Sequence, residues 1–275
     1  MNMVEIDLLT VTIGPGLEPA LWTGIKFVEK LGETWGKAVI PANHMEGHIA
    51  SVLLGKTEEN PKIEFPALAL LISGGHTELV LMQNWLTKEK IGETKDDAVG
   101  EAYDKVARML GLPYPGGPEI SRLATQARES GIINNELRLP RPMIRSKDLN
   151  FSFSGLKTAV LYYIRSLKEL TEKDKLEIAR EFEDAVSETL LSKTKKALDQ
   201  HLPKTLIVGG GVIANQNIKE NIMNLKKEYP NLEILIPEKS LTTDNATMIA
   251  IAGYLEYLRG NKGTQKLEAN GNLEI

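Results

Sequence analysis

The chain has 275 residues, of which 42% are hydrophobic and 25% charged, with a formal net charge of −4 and no cysteine. These values are typical of a soluble globular protein of one or two domains, and they exclude disulfides and thiolate metal sites. The acidic balance gives no global basic surface for nucleic acid, although it leaves a local basic patch open. The longest apolar run, 65–72, is too short to span a bilayer, and the N-terminus does not resemble a signal peptide, so we expect a cytoplasmic protein.

Hydrophobic periodicity and turn residues predict alternating strands and helices along most of the chain. In chain order these are a strand at 7–13, a helix at 17–31, a strand at 37–41, a helix opening at Asn43, a hairpin within 65–83, helices at 96–110, 119–130, 156–170 and 176–201, a strand at 205–208, a helix at 216–227, a strand at 232–236 and a helix at 247–258. Ser152 or Ser154 is the expected cap of the helix at 156–170. The strand-helix order favours a mostly parallel sheet covered by helices.

The run NHMEGH places two of the four histidines of the chain, His44 and His48, one turn apart on a single helix face. This spacing allows both imidazoles to bind one metal ion, but it also fits a surface helix that carries two incidental histidines. A zinc peptidase of the H-E-x-x-H type needs a glutamate directly after the first histidine. That position is Met45, and Glu46 is rotated to the far side of the helix. The pattern therefore favours a metal anchor over a peptidase.

Two glycine-rich segments are candidates for binding an anion. The turn of the predicted hairpin, SGGHT, could present backbone N–H groups to a phosphate, or it could simply need glycine for a positive φ. The segment VGGGVIAN lies between a strand and a helix, as in nucleotide-binding proteins. Gly209, Gly211 and Ala214 also satisfy the dinucleotide pattern G-x-G-x-x-A, but no acidic residue is clearly placed to bind the ribose.

Asp244 lies at the start of the last predicted helix. A carboxylate in this position is usually an N-cap. The alternative is an oxygen ligand that completes a metal site of two histidines and one carboxylate, with open coordination positions. The sequence alone leaves both interpretations open.

The irregular segment 134–150 is the most basic part of the chain, and its prolines prevent a helix. It carries Arg138, Arg141, Arg145 and Lys147, which are candidates for contact with the phosphate backbone of a nucleic acid. A solvated loop is the alternative interpretation.

Several segments occur together in one order: NHMEGH, LLISGGHTELV, GEAYDKVARMLGLPYPGGP, PRPM with FSFSGLKTAV, VGGGVIAN and TDNATMIA. They resemble the bacterial form of the TsaD family, the transferases that make N6-threonylcarbamoyladenosine on tRNA. The resemblance extends from about residue 7 to about residue 258, and its motifs are long and specific.

The resemblance implies an α/β, actin-like ATPase fold with two lobes and a cleft between them that holds the site. We expect the first lobe at 1–64, completed by a C-terminal helix at 244–262, the second lobe at 65–243, and a loose tail at 263–275. Family members begin roughly one hairpin earlier, so we expect the first lobe to lack its leading strands.

The resemblance also implies the site residues. His44, His48 and Asp244 match ligands of one divalent metal, Fe2+ as the first choice and Zn2+ as the second. The positions that match those holding threonylcarbamoyl-adenylate, or a nucleotide such as ATP or ADP, are Leu71, Ile72, Ser73, Gly74, Gly75, Asp104, Gly117 and Asn215.

The implied reaction transfers the threonylcarbamoyl group to N6 of adenosine 37 in tRNAs that read ANN codons, and it releases AMP. Its implied partners are tRNA, a TsaB-like paralogue and a TsaE-like ATPase, and no membrane is involved. No residue is an evident nucleophile, which fits direct attack by the amine of the tRNA. A metal-dependent glycoprotease and a non-catalytic nucleotide-binding subunit of the modification complex remain alternatives.

Overall fold

The computed structural model describes residues 5–54, 63–134, 136–263 and 266–275. The chain divides into two compact units, the first formed by Met1–Lys62 with Pro237–Ile275 and the second by Ile63–Ile236. Residues 237–243, which we expected in the second lobe, therefore lie in the first unit. Between the helix that opens at Asn43 and the hairpin, the sequence predicts a polar connector at 57–64, and most of it is outside the described residues. No helix in the described ranges combines the length and apolar composition that a bilayer span requires.

Most predicted elements are present with shifts of a few residues at their ends. In chain order they are β1 (Leu8–Gly14), α1 (Glu18–Trp35), β2 (Ala38–Asn43), α2 (His44–Ala50), β3 (Ala67–Ile72), β4 (Thr77–Met82), β5 (Lys88–Glu93), α3 (Val99–Met109), α4 (Gly116–Glu129), α5 (Ser154–Ser166), α6 (Glu172–His201), β6 (Thr205–Gly209), α7 (Gln216–Met223), β7 (Glu233–Leu235) and α8 (Ala246–Leu258). Strand β5 was not predicted, because its sequence KEKIGE is charged and offers little apolar alternation.

The first unit has a helix on each face of a parallel strand pair, β1 and β2. Helix α1 packs against β1 at Gly24, where an added Cβ would lie 3.5 Å from the Val11 side chain. Helix α8 packs against β1 at Gly253, so closely that an added Cβ would lie 2.1 Å from Thr10 Cγ2. Successive strand residues point to opposite faces of a sheet, so α1 and α8 lie on opposite sides of β1.

Residues 266–275 are not loose, which corrects the expectation from their polar composition. Leu267 is buried in the apolar cluster beneath α1. The backbone N–H of Asn270 donates to the carbonyl of Ile13 at 2.8 Å. The side-chain amide of Asn43 donates to the carbonyl of Glu274 at 3.0 Å. Backbone pairing and one buried leucine order a segment whose composition alone does not predict order.

The second unit is built on a five-stranded sheet in the order β5-β4-β3-β6-β7. Strand β3 pairs antiparallel with β4 and parallel with β6, so the sheet is mixed and the expectation of a mostly parallel sheet is wrong here. The reason is connectivity, since short turns join β3 to β4 and β4 to β5 and force antiparallel pairing. All six residues of β3 are buried, which places this strand at the centre of the core.

Helix α5 is capped by an aspartate from a distant part of the chain, and the prediction of a serine cap is wrong. The Asp96 carboxylate accepts hydrogen bonds from the backbone N–H groups of Phe153 at 2.8 Å and Ser154 at 3.1 Å. It also accepts from the hydroxyls of Ser152 and Ser154, each at 2.6 Å. Both serines therefore act as donors to Asp96, and the aspartate satisfies the first N–H groups of the helix.

Candidate functional site

The helix that carries the two histidines begins where β2 ends. The Asn43 side-chain oxygen accepts hydrogen bonds from the N–H groups of Met45 at 2.8 Å and Glu46 at 3.3 Å, so the predicted N-cap is confirmed. The rings of His44 and His48 meet edge to face, with their centroids 4.8 Å apart. The spacing in the sequence thus brings both imidazoles to one side of α2.

Asp244 reaches these histidines from the segment that precedes α8. The residue that caps α8 is Asn245, whose side-chain oxygen accepts from the N–H of Met248 at 2.9 Å. The alternative in which Asp244 is the cap is therefore wrong. One carboxylate oxygen of Asp244 lies 3.3 Å from Nε2 of His44 and 3.3 Å from Nε2 of His48. All three residues belong to the first unit.

This donor set fits a metal ion. The three potential ligand atoms lie within 4.8 Å of one another. Two ligand atoms that are each 2.0–2.1 Å from a tetrahedral ion are about 3.3–3.4 Å apart, which agrees with the 3.3 Å contacts of Asp244. His48 is fully buried, and within the described part of the chain neither of its ring nitrogens has a hydrogen bond of normal geometry, although Nε2 lies 3.3 Å from Asp244. Buried polar atoms normally have partners, so this histidine fits a ligand.

The electrostatics of Asp244 agree with a ligand role. Its contacts with His44 and then with His48 hold the pKa of the Asp244 carboxyl well below its usual range. The carboxylate is therefore anionic, as a metal ligand must be. The Asp244 side chain is 75% exposed, so the donor set is open to solvent on the side of this carboxylate.

The turn between β3 and β4 has open space over its glycines. Neither Gly74 nor Gly75 has a positive φ, so the interpretation that the turn needs glycine for that reason is wrong. Both residues are exposed, and a Cβ built at either position meets no atom within 4 Å. The N–H of Gly100 donates to the Ser73 carbonyl at 3.2 Å, which holds the turn against the start of α3. A ligand can therefore approach the backbone of both glycines closely.

Leu71 and Ile72 lie at the end of β3 with fully buried side chains. Leu71 is paired on both sides, with Glu78 of β4 and Gly209 of β6. Their side chains cannot contact a ligand in this position. Their contribution is to place the glycine turn at the end of the central strand.

Three further candidates lie on helices of the second unit or at their ends: Asp104 in α3, Gly117 in the first turn of α4 and Asn215 at the N-cap of α7. Asp104 accepts a hydrogen bond from the backbone N–H of Gly116 at 2.7 Å, which fixes the entry to α4. A Cβ on Gly117 would meet no atom within 4 Å, so that backbone is accessible. The Asn215 side-chain oxygen caps α7, and its amide donates to Glu183. The contact with Glu183 was not predicted, because nothing in the local sequence links the two residues.

Of the four candidate residues in the basic segment, one is held by ion pairs within the protein and three are exposed. Arg141 donates to Glu188 at 2.8 Å and to the Leu139 carbonyl at 2.7 Å, and it also pairs with Glu181. Its side chain is only 19% exposed, so Arg141 is a structural ion-pair residue here. The other tRNA-contact candidates are exposed: Arg138, Arg145 and Lys147. Their contact with tRNA stays a prediction.

The fold is that of a known class. A crystal structure of HypF from T. kodakarensis is similar to this chain with a TM-score of 0.64 at 15% sequence identity. The similarity covers 93% of this chain and 41% of that HypF chain, so this chain spans about two fifths of it. Together with the mixed α/β units, this similarity confirms the expected actin-like ATPase fold.

Sequence comparison then identifies the family. The family model of TsaD, tRNA N6-adenosine threonylcarbamoyltransferase, matches residues 1–251. The protein of that name from Thermosipho africanus (strain TCF52B) is 45% identical over 276 residues, covering all of this chain and 80% of the relative. That from Geobacillus kaustophilus (strain HTA426) is 41% identical over 277 residues, covering all of this chain and 78% of the relative. The chain belongs to the TsaD family, which confirms the prediction of a tRNA-modifying acyltransferase.

Proposed function

We propose that this chain transfers the threonylcarbamoyl group of threonylcarbamoyl-adenylate to N6 of adenosine 37 in tRNAs that read ANN codons. AMP is the second product. The chain works in the cytoplasm with its tRNA substrate, a TsaB-like paralogue and a TsaE-like ATPase. Family membership supports the reaction, and the convergence of His44, His48 and Asp244 is the observation that carries the mechanism.

The proposed metal centre holds one divalent ion, Fe2+ or Zn2+, between two imidazoles and one carboxylate. Such an ion, when bound, supplies a Lewis acid for carbonyl, carbamoyl or phosphate oxygens. The chain itself provides the orientation of the ligands. The Asn43 cap sets the start of α2, and the His48 side chain is fully buried. The exposed side of Asp244 leaves room for a substrate oxygen.

The proposed adenylate site uses backbone N–H groups and one carboxylate. The accessible backbone at Gly74 and Gly75 is suited to hold a phosphate, because no side chain blocks its approach. Asp104 retains a second carboxylate oxygen for a ribose hydroxyl while its first oxygen binds Gly116. Positioning and charge stabilisation then favour attack by the N6 amine, and no nucleophilic side chain is required.

The geometry of Glu46 argues against the metal-dependent glycoprotease. A peptidase of this type needs a carboxylate beside the metal to activate water. The Glu46 carboxylate lies 3.3 Å from the Arg259 guanidinium and is directed away from the histidine face of α2. We expect no release of peptides from a protein substrate by the metal-loaded chain.

The proposed function is tested by mass spectrometry of tRNA nucleosides. Purified protein is incubated with its partners, tRNA, threonine, bicarbonate, ATP and the adenylate-forming enzyme. We expect threonylcarbamoyladenosine with the wild-type chain, and loss of both metal content and product with His44→Ala, His48→Ala or Asp244→Ala. Thr243→Ala, at the exposed neighbour of Asp244, is the control and should retain both. Product from the alanine variants would disprove the site, and no product from the wild type would favour a non-catalytic subunit.

A further inference from the structure

Glu46 lies between the two histidines in the sequence but contacts the far end of α8. Its carboxylate oxygens are 3.3 and 3.4 Å from Nη1 of Arg259, the residue that follows α8. The same guanidinium contacts Glu256 in the last turn of α8. The side chains of Glu46 and Arg259 are only 16% and 18% exposed. The pair is therefore partly removed from solvent and links α2 to α8.

A second contact joins the same two helices near Asp244. A Cβ on Gly47 would lie 3.1 Å from Ile249 Cδ1 and 3.2 Å from Met248 Cγ, so α2 approaches the first turn of α8 closely at this glycine. Asp244 precedes Asn245, the N-cap of that turn. Helix α2, which carries the two histidines, and helix α8, which follows Asp244, are thus joined at both ends of α8, by apolar contact at its start and by the ion pair at its end.

Helix α2 has only seven residues, so a contact at one side chain bears on the rotation of the whole helix about its axis. Each residue turns the helix by about 100°, which places Glu46 on the side opposite His44 and His48. A contact that fixes Glu46 therefore also fixes the direction of both imidazoles. Charge-assisted hydrogen bonds to a guanidinium are stronger than neutral ones, so this pair favours one rotation of α2.

We propose that Glu46 and Arg259 are positioning residues for the metal centre. The pair holds α2 in the rotation that directs both imidazoles towards Asp244, and this inference rests on the metal site of the proposed function. The glutamate of the HMEGH run thus serves as a tether on the opposite side of the helix from the metal.

The test measures the binding of Co2+ to the full chain by isothermal titration calorimetry and by the visible absorption of the bound ion. Removing groups that orient metal ligands typically lowers metal affinity about 10- to 100-fold. We expect a loss of this size for Glu46→Gln, together with a changed Co2+ spectrum that reports altered ligand geometry. The charge swap Glu46→Arg with Arg259→Glu should restore most of the affinity when combined with Glu256→Gln, because Glu256 would otherwise face a like charge at position 259. The spectrum and the rescue distinguish positioning from a general loss of stability.

Two further variants make the test decisive. Lys26→Gln removes an exposed ion pair with Glu29 on α1 of the same unit, and it should leave Co2+ affinity unchanged. Arg259→Lys keeps the charge and provides a milder change if Glu46→Gln does not fold. Wild-type affinity and spectrum in both Glu46→Gln and Arg259→Lys would overturn the positioning role of the pair but would leave the proposed metal site unaffected. A wild-type chain that binds no Co2+ would overturn the proposed metal site as well.

Discussion

Asn215 donates a side-chain N–H to Glu183, whose carboxylate is completely buried in the second unit. The Arg128 guanidinium donates to the same carboxylate and also binds Asp184 at 2.6 Å. Burial raises the pKa of Glu183 despite the hydrogen bonds from Asn215 and Arg128. Because the other end of the Asn215 amide caps α7, its side chain is held on both sides. A ligand-binding role for Asn215 thus depends on a buried ion pair.

Replacing Glu183 should destabilise the second unit. Glu183→Ala leaves the partly buried Arg128 guanidinium and the Asn215 amide without their shared acceptor. Breaking a buried ion pair in this way costs about 3 kcal/mol. Urea unfolding of the variant measures the loss. Glu172→Ala, at an 82% exposed position at the start of the same helix, should change the free energy of unfolding by less than about 1 kcal/mol. Equal stability of the two variants would contradict the prediction.

Asp96 should make stability depend on pH in the acidic range. Burial raises its pKa, but hydrogen bonds from Ser152, Ser154 and two backbone N–H groups outweigh this and hold the pKa below its ordinary value. The stabilisation is then fully present above the unfolded pKa, about 3.9, and is lost as the pH falls towards the folded value.

The measurement for Asp96 compares the free energies of unfolding of the wild type and Asp96→Asn over a range of pH. At neutral pH we expect the variant to be less stable by about 1 kcal/mol, the usual value for a helix cap. The difference should shrink as the pH falls below about 4, because the wild-type carboxyl is then protonated. A difference that stays constant with pH would show that the charge of Asp96 is unimportant.

Two glycines at the proposed adenylate site should respond differently to substitution. A Cβ on Gly100 would lie 2.7 Å from Gly74 Cα and 2.7 Å from the Ser73 oxygen, so Gly100→Ala should cost about 1–3 kcal/mol of stability. A Cβ on Gly75 meets nothing within 4 Å, so Gly75→Ala should fold normally. If the proposed adenylate site is correct, Gly75→Ala should still lower the affinity for AMP, because the added methyl group occupies the space of the phosphate. Thermal unfolding and titration with AMP separate the two effects.

Arg141 and Lys147, two residues of the basic segment, should also differ in their response to substitution. Arg141→Ala breaks contacts with two glutamates and a carbonyl, so we expect loss of stability. Lys147 is exposed, so Lys147→Ala should leave stability unchanged. If Lys147 contacts a phosphate, this variant reduces the magnitude of the negative slope of log affinity against log salt for tRNA by about 1. The same slope for Lys147→Ala and wild type would remove Lys147 from the interface.

Local patterns were reliable where neighbouring residues determine the structure. The Asn43 cap, the histidine pair on α2 and the β3–β4 hairpin follow from helix spacing, capping chemistry and apolar runs. These features depend on residues a few positions apart. Helix ends were less accurate, as for α6, which begins at Glu172 with a capping box formed by Thr171 and Asp174.

Contacts between residues that are far apart in the sequence could not be predicted from local patterns. The Asp96 cap of α5, the Glu183–Asn215 bond and the Glu46–Arg259 pair each join segments with no shared local signal. The tail after residue 263 was expected to be loose because its composition is polar, yet its backbone pairs with β1. The engagement of Arg141 by glutamates of α6 was missed for the same reason.

By itself, the sequence determined the family and the two histidines, because long ordered motifs and the turn of a helix are written in consecutive residues. Only the tertiary structure showed that Asp244 is not the cap of α8 and that its carboxylate lies beside His44 and His48. That arrangement depends on how α2 and the start of α8 meet, and on Asn245 taking the capping position instead. Such a contact arises from the packing of helices that are far apart in the chain, which no local pattern encodes.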